Sequence, residues 1–170
     1  MPPSTTLTSK RPARPLGIGW NGFFPAGFNG WPRRSPLPEL TPAESRLVSA
    51  AKAVRERAYA PYSKFRVGAA IETAQGTVFS GANVENASYG ATVCAERVAI
   101  FCMVAAGERN VTRVAVYTEA SELTMPCGLC RQVLVEHAPN AEVIVAGPSG
   151  HKKTTIAALM PEPFVFEGPP

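Results

Sequence analysis

The chain has 170 residues, is 45% apolar and carries a net charge of +4. That length suits one core domain, and no run of eighteen apolar residues is available to span a bilayer. The charge is confined: residues 1–40 hold five basic residues against one acid, while residues 41–170 hold twelve of each, so the domain offers no basic nucleic-acid-binding face.

Residues 1–40 come first in the chain, with eight prolines and five glycines. Such a segment cannot hold a long helix, and it is expected to be a disordered, basic tail. Its arginines and missing early acids suit a transit peptide, but the helix such peptides form has no place here, and the apolar core of a secretory signal is lacking. Trp20, Phe23, Phe24, Phe28 and Trp31 leave two readings open: an interaction segment, or an upstream extension of the coding sequence.

Thr41-Pro42-Ala43-Glu44 is a capping box with proline at the first helical position, and a helix is expected from there to about Ala58. Val67–Thr73 reads as a strand, Gln75-Gly76 as a turn, and Val78–Ala82 as a second strand. A helix follows over about Cys94–Ala106, closed by Gly107. Val111–Thr118 is a third strand, Gly128–His137 a helix, Ala141–Ala146 a further strand, and Ile156–Leu159 a short helix. Strands alternating with helices imply a layered α/β sheet with parallel pairing at one side.

Two motifs sit on the starts of two of these helices, 33 positions apart: Cys94-Ala95-Glu96 and Pro126-Cys127-Gly128-Leu129-Cys130. Zinc favours thiolate ligands, and a catalytic zinc keeps three protein ligands plus an open position. Cys127 and Cys130 are spaced as a clip for one ion, and Cys94 supplies the third bond. The remaining cysteine, Cys102, lies in the apolar run Val98–Val104 and reads as a small core residue. It stands eight residues beyond Cys94 on one helix, about 12 Å along the axis, so both cannot hold the same ion. Neither His137 nor His151 has ligand spacing from a cysteine. Cysteines used in this way suit a reducing cytosol.

Helix N-termini carry unpaired N–H groups and partial positive charge, which stabilise thiolates. Three thiolates on one zinc leave a formal charge of −1. Arg97, three residues after Cys94, is the first candidate to offset it, and Arg131, just after Cys130, is the second. Glu96, two positions from a ligand, is placed to carry protons. Upstream, Asn83 and Glu85 point to one side of an extended segment. Together they accept and donate hydrogen bonds suited to a sugar hydroxyl, although taken alone the stretch reads as a polar turn.

The motifs Asn83-Val84-Glu85-Asn86-Ala87-Ser88-Tyr89-Gly90, Cys94-Ala95-Glu96-Arg97 and Pro126-Cys127-Gly128-Leu129-Cys130-Arg131-Gln132 resemble the small homotetrameric cytidine deaminases of the three-cysteine zinc type. So does Ala60-Pro61-Tyr62-Ser63-Lys64-Phe65-Arg66-Val67-Gly68-Ala69-Ala70. The resemblance covers residues 41–166. It implies a three-layer α/β/α cytidine deaminase-like fold over residues 41–168, with a mixed central sheet of about five strands. It implies one Zn2+ per subunit on Cys94, Cys127 and Cys130, with Glu96 as general acid/base and Arg97 bonded to the metal thiolates. Asn83 and Glu85 correspond to the ribose-binding pair, and Phe65 to an aromatic beside the nucleoside. Ala95 counts as a further substrate contact. Leu159-Met160-Pro161-Glu162-Pro163-Phe164 resembles a C-terminal segment whose phenylalanine, here Phe164, stacks on the base from a neighbouring subunit; in a tetramer Tyr89 is a further residue that would complete a neighbour's pocket. Glu162-Pro163 departs from the small residues commoner there.

The expected activity is hydrolytic deamination of cytidine and 2′-deoxycytidine in pyrimidine salvage, in the cytoplasm, by a homotetramer that binds neither nucleic acid nor membrane. Two other readings compete. One is a deaminase of an RNA base or an aminonucleoside antibiotic; the other is a zinc-stabilised binding module without catalysis.

Overall fold

A computed structural model describes residues 39–166. The expected tail, apart from its last two residues, lies outside them. The elements in chain order are α1 (Pro42–Arg55), β1 (Val67–Thr73), β2 (Val78–Ala82), a 3-10 turn (Tyr89–Ala91), α2 (Ala95–Ala105), β3 (Val111–Thr118), α3 (Gly128–His137), β4 (Glu142–Gly147), β5 (Gly150–Thr155) and α4 (Ile156–Leu159).

The five strands form one mixed sheet in the order β2-β1-β3-β4-β5. Only β3 and β4 pair in parallel, because α3 carries the chain across between them. The side-chain period of two sorts the strands between two cores. Ala70, Ala115, Tyr117, Ile144 and Ala146 face α1 through Leu47 and Ala51. Their neighbours Ala69, Ile71, Val114, Val116, Val143 and Val145 pack with Ala95, Ala99, Ile100 and Met103 of α2 and Leu134 of α3. The result is the three-layer arrangement expected.

Two glycines set how closely the outer layers approach the sheet. A Cβ on Gly68 would lie 2.0 Å from the Ala51 carbonyl oxygen of α1, and one on Gly81 would lie 2.5 Å from Ala99 N and 2.6 Å from the Ala95 carbonyl oxygen of α2. Both contacts are with backbone, which cannot swing aside.

Three details differ from the sequence reading. The first helix ends at Arg55, not near Ala58. Its continuation tightens into i→i−3 turns at Glu56, Arg57 and Ala58, and Pro61 pushes Ala60 out of helical geometry. The fourth strand starts at Glu142, because Ala141 N–H closes a turn on Ala138. The fifth strand, Gly150–Thr155, has no apolar alternation to reveal it: Gly-His-Lys-Lys-Thr-Thr pairs with β4 as an edge, where lysines are a usual protection.

The capping box does more than start α1. Glu44 accepts from Thr41 N–H at 2.6 Å and its other oxygen pairs with Lys153 of β5. Glu44 is 4% exposed, so the helix start is tied across the sheet to the edge strand. The Lys153 ammonium, with the Thr41 amide, holds the Glu44 carboxyl down to about 2 from an ordinary 4.5. A lowered folded-state value means stability that is present above pH ~4.5 and lost as pH falls toward 2. Glu44→Gln is therefore expected to cost about 2–3 kcal/mol at neutral pH and to flatten the loss of stability between pH 4.5 and 2, as read by urea unfolding at several pH values.

Candidate metal centre and active site

β2 leads into a segment pinned on both sides. Val84 bridges Tyr59 on one side and Val93 on the other. This segment delivers the chain to α2, whose N-cap is Cys94. Cys127 is the N-cap of α3, and Cys130 lies in its first turn. Neither N-cap sulfur caps its own helix, so both are left for another partner.

Among the described residues the three sulfurs lie within 4.8 Å of one another. Thiolates bound to a tetrahedral zinc at about 2.3 Å stand about 3.8 Å apart, and the Cys94 and Cys127 sulfurs are 3.8 Å apart. All donors are soft, the cluster sits at two helix starts, and among the described residues no fourth protein ligand closes it. These residues fit a zinc ion with an open position.

Cys102 is not part of the cluster, and it is not a core residue either. It is exposed on α2, beside Phe101, which is 48% exposed. An apolar helical run suggested burial, but α2 is apolar on more than the face that meets the sheet.

Arg97 donates from Nη2 to the Thr92 carbonyl at 3.0 Å and approaches the Cys94 sulfur at 3.9 Å. Its Nε is buried with no partner, an unspent donor beside anionic sulfur. Arg131 goes elsewhere. Its Nε donates to the Pro126 carbonyl at 2.8 Å and its Nη1 to the Leu159 carbonyl at 2.9 Å, so it braces the α3 loop against the C-terminal segment.

The thiols share protons unevenly. Cys94 is brought down to about 5, first by the hydrogen bond it takes from Cys130 and then by Arg97, against the effect of burial. Cys130, the donor, is pushed up by that same bond and by its burial. A metal would displace the shared proton, so affinity should rise with pH. Glu96, in the first turn of α2, is 4% exposed. Burial raises its carboxyl above the ordinary carboxylate range, and the Cys94 charge adds to this. A carboxyl held more readily in its protonated form is suited to passing a proton.

Asn83 and Glu85 both serve one loop. Asn83 accepts from Val67 N–H at 2.8 Å and donates to the Phe65 carbonyl at 2.9 Å. Glu85 accepts from the backbone N–H of Tyr62 at 2.8 Å and from the Ser63 hydroxyl, and the Ser63 hydrogen bond leads the effects holding its carboxyl below the ordinary range. A cavity of about 390 Å3 is lined by Tyr62, Ser63, Glu85, Tyr89 and Thr92. Phe65 is 41% and Phe164 71% exposed; the Phe164 carbonyl accepts from Gln132, which leaves its ring outward. Ala95 has no exposed surface. Sequence reasoning gave Ser63 no role. The one local signal was a serine two residues before Phe65 in a segment opened by proline, the pattern of a hydroxyl-capped turn.

Cys130→Ser is expected to lower bound zinc from one per chain to well below half, whereas Cys102→Ser should keep it at one, as measured by metal analysis after dialysis.

The sequence model of the family described as the cytidine and deoxycytidylate deaminase zinc-binding region matches residues 42–146. A cytidine deaminase of Halalkalibacterium halodurans is 43% identical over 123 residues, 71% of this chain and 93% of that protein. The crystal structure of cytidine deaminase from Burkholderia pseudomallei superposes with a TM-score of 0.69 at 45% identity, covering 74% of this chain and all of that one. A blasticidin-S deaminase of Bacillus cereus is 36% identical over 107 residues, 58% of this chain and 76% of that protein. With its three convergent thiols and buried glutamate on the shared fold, the chain belongs to the zinc-dependent cytidine deaminase family.

Proposed function

We propose that this chain hydrolyses free cytidine and 2′-deoxycytidine to uridine and 2′-deoxyuridine with release of ammonia, as a step of pyrimidine salvage. The carrying observation is the buried Glu96 in the first turn of α2, immediately after a cluster of three thiols that fits one zinc.

Cys94, Cys127 and Cys130 would hold the zinc, and Arg97 would offset their surplus negative charge. When bound, the metal supplies the electrophilic field that acidifies water near neutral pH. Glu96 takes a proton from the attacking water and delivers it to the pyrimidine ring nitrogen. It then carries the second proton to the departing amino group, so that water is consumed and ammonia leaves. Burial raises this carboxyl above its ordinary range, which favours the protonated form that delivers a proton to the substrate.

Asn83 and Glu85 are read as the sugar contacts, with Phe65 beside the nucleoside. Ala95 is fully buried, so its contact is assigned to its backbone amide at the first position of α2. The balanced charge of residues 41–170 favours a free nucleoside over a polynucleotide. No helix among the described residues is long and apolar enough to cross a membrane. Four free thiols suit a reducing compartment, and a cytoplasmic enzyme is proposed on that ground.

A homotetramer is proposed because several aromatic side chains stand in solvent on one subunit. Phe101 is 48% exposed, Phe164 71% and Phe166 75%. Burial against other copies would remove that apolar surface from water, and Phe164 would complete a neighbour's pocket.

The test follows the ultraviolet absorbance of cytidine with the wild type beside Glu96→Gln, with zinc measured on both. The wild type is expected to consume cytidine, and the variant to be slower by about 10²–10⁴-fold at equal zinc. A variant that consumes cytidine as fast as the wild type would overturn Glu96 as the proton carrier. No turnover by a zinc-loaded wild type would point to a different amino heterocycle. Phe164→Ala is expected to raise KM by about 3–10-fold, the worth of one aromatic stacking contact.

A further inference from the structure

The carboxylate of Glu85 spends its two oxygens differently. Oε2 accepts from Tyr62 N–H at 2.8 Å and Ser63 N–H at 3.3 Å, which fills it. Oε1 takes only the Ser63 hydroxyl and keeps a lone pair, in a residue that lines the 390 Å3 cavity. The Ser63 oxygen also accepts Phe65 N–H at 3.0 Å. A hydroxyl has one proton; here Ser63 gives it to Glu85 and uses its oxygen on Phe65.

Lys64, between them, has a left-handed φ of 60°. That conformation is costly for a side chain with a Cβ. It doubles the chain back so that the Phe65 amide meets the Ser63 oxygen. Asn83 fixes the far side of the same turn through the Phe65 carbonyl and the Val67 amide.

We propose that Ser63 is a specificity-determining residue: its hydroxyl fixes which oxygen of Glu85 is offered to a sugar hydroxyl, and ties that offer to the placement of Phe65. The inference rests on the nucleoside reading above and adds a residue to it. A sugar hydroxyl meets an acceptor-only oxygen that already has one donor and room for one more. A ligand without that hydroxyl leaves a charged acceptor half satisfied. Without the serine, the carboxylate is held only through Oε2, Oε1 turns to water, and the Phe65 amide loses its acceptor. Discrimination then falls even though Glu85 is still present.

The experiment compares kcat/KM for cytidine and 2′,3′-dideoxycytidine in wild type, Ser63→Ala and Ser63→Thr, with zinc measured on each. The ratio of the two is expected to drop about tenfold in Ser63→Ala, the worth of one hydrogen bond to a charged group. Ser63→Thr, which keeps the hydroxyl, is expected to restore it. An unchanged ratio, or equal losses on both nucleosides, would overturn the role of Ser63 and leave the deaminase reading standing. No turnover of either nucleoside by the zinc-loaded wild type would overturn that reading, and the inference with it.

Discussion

The missing side chain of Gly81 is the constraint on which the site depends. Its place in β2 is occupied by the first turns of α2, whose backbone would lie 2.5–2.6 Å from any added Cβ. Because α2 can press that closely on the sheet, its N-cap Cys94 reaches the N-cap of α3 across a gap of 3.8 Å between sulfurs. The same approach carries Glu96 out of water. A thiol cluster made from residues 33 apart in sequence is thus a consequence of backbone packing; the cysteines exploit a meeting of helix starts that the sheet imposes.

That geometry creates an electrostatic problem, and the neighbouring residues answer it. Thiolates crowd at one point with a buried carboxylate close by, and each negative charge raises the cost of the next. Arg97 is the nearest counter-charge, partly spent on Thr92 and partly directed at Cys94, with one buried donor still unpaired. The two helix starts add partial positive charge. Burial, with the Cys94 charge adding to it, leaves the Glu96 carboxyl raised. A protein selected only for stability gains nothing from such a group, which is why the residue is more informative than the thiols alone.

Much of this was legible in the sequence, for reasons that separate by residue. Thr41-Pro42-Ala43-Glu44 announced α1 because capping is a local interaction, and Val67–Thr73 and Val111–Thr118 announced themselves by β-branched, apolar composition. The thiol cluster was legible because a metal site demands particular residue types at short spacings. Cys102 was misjudged because apolar neighbours on a helix do not say which face meets the sheet. β5 carried no signal because its pairing is decided by β4, a partner of quite different composition. Arg131 was placed near the thiolates by adjacency to Cys130, but a side chain of that length follows hydrogen-bond acceptors, and it binds the carbonyls of Pro126 and Leu159.

Asn83 and Glu85 organise a loop with the same side chains that the proposed function assigns to the sugar. Sequence reasoning treated a polar turn and a sugar site as competing readings. In the structure both side chains bind the backbone of residues 62–67, so the turn is organised by the same groups assigned to the substrate. An amide has four hydrogen-bonding positions and a carboxylate about as many, and the loop uses only part of them. The residual capacity is fixed in place by the capacity already spent. A site of this kind needs little rearrangement to receive a hydroxyl, because the cost of ordering the acceptors was met when the chain folded. It also follows that replacing either residue disturbs the loop together with any contact it makes to a ligand.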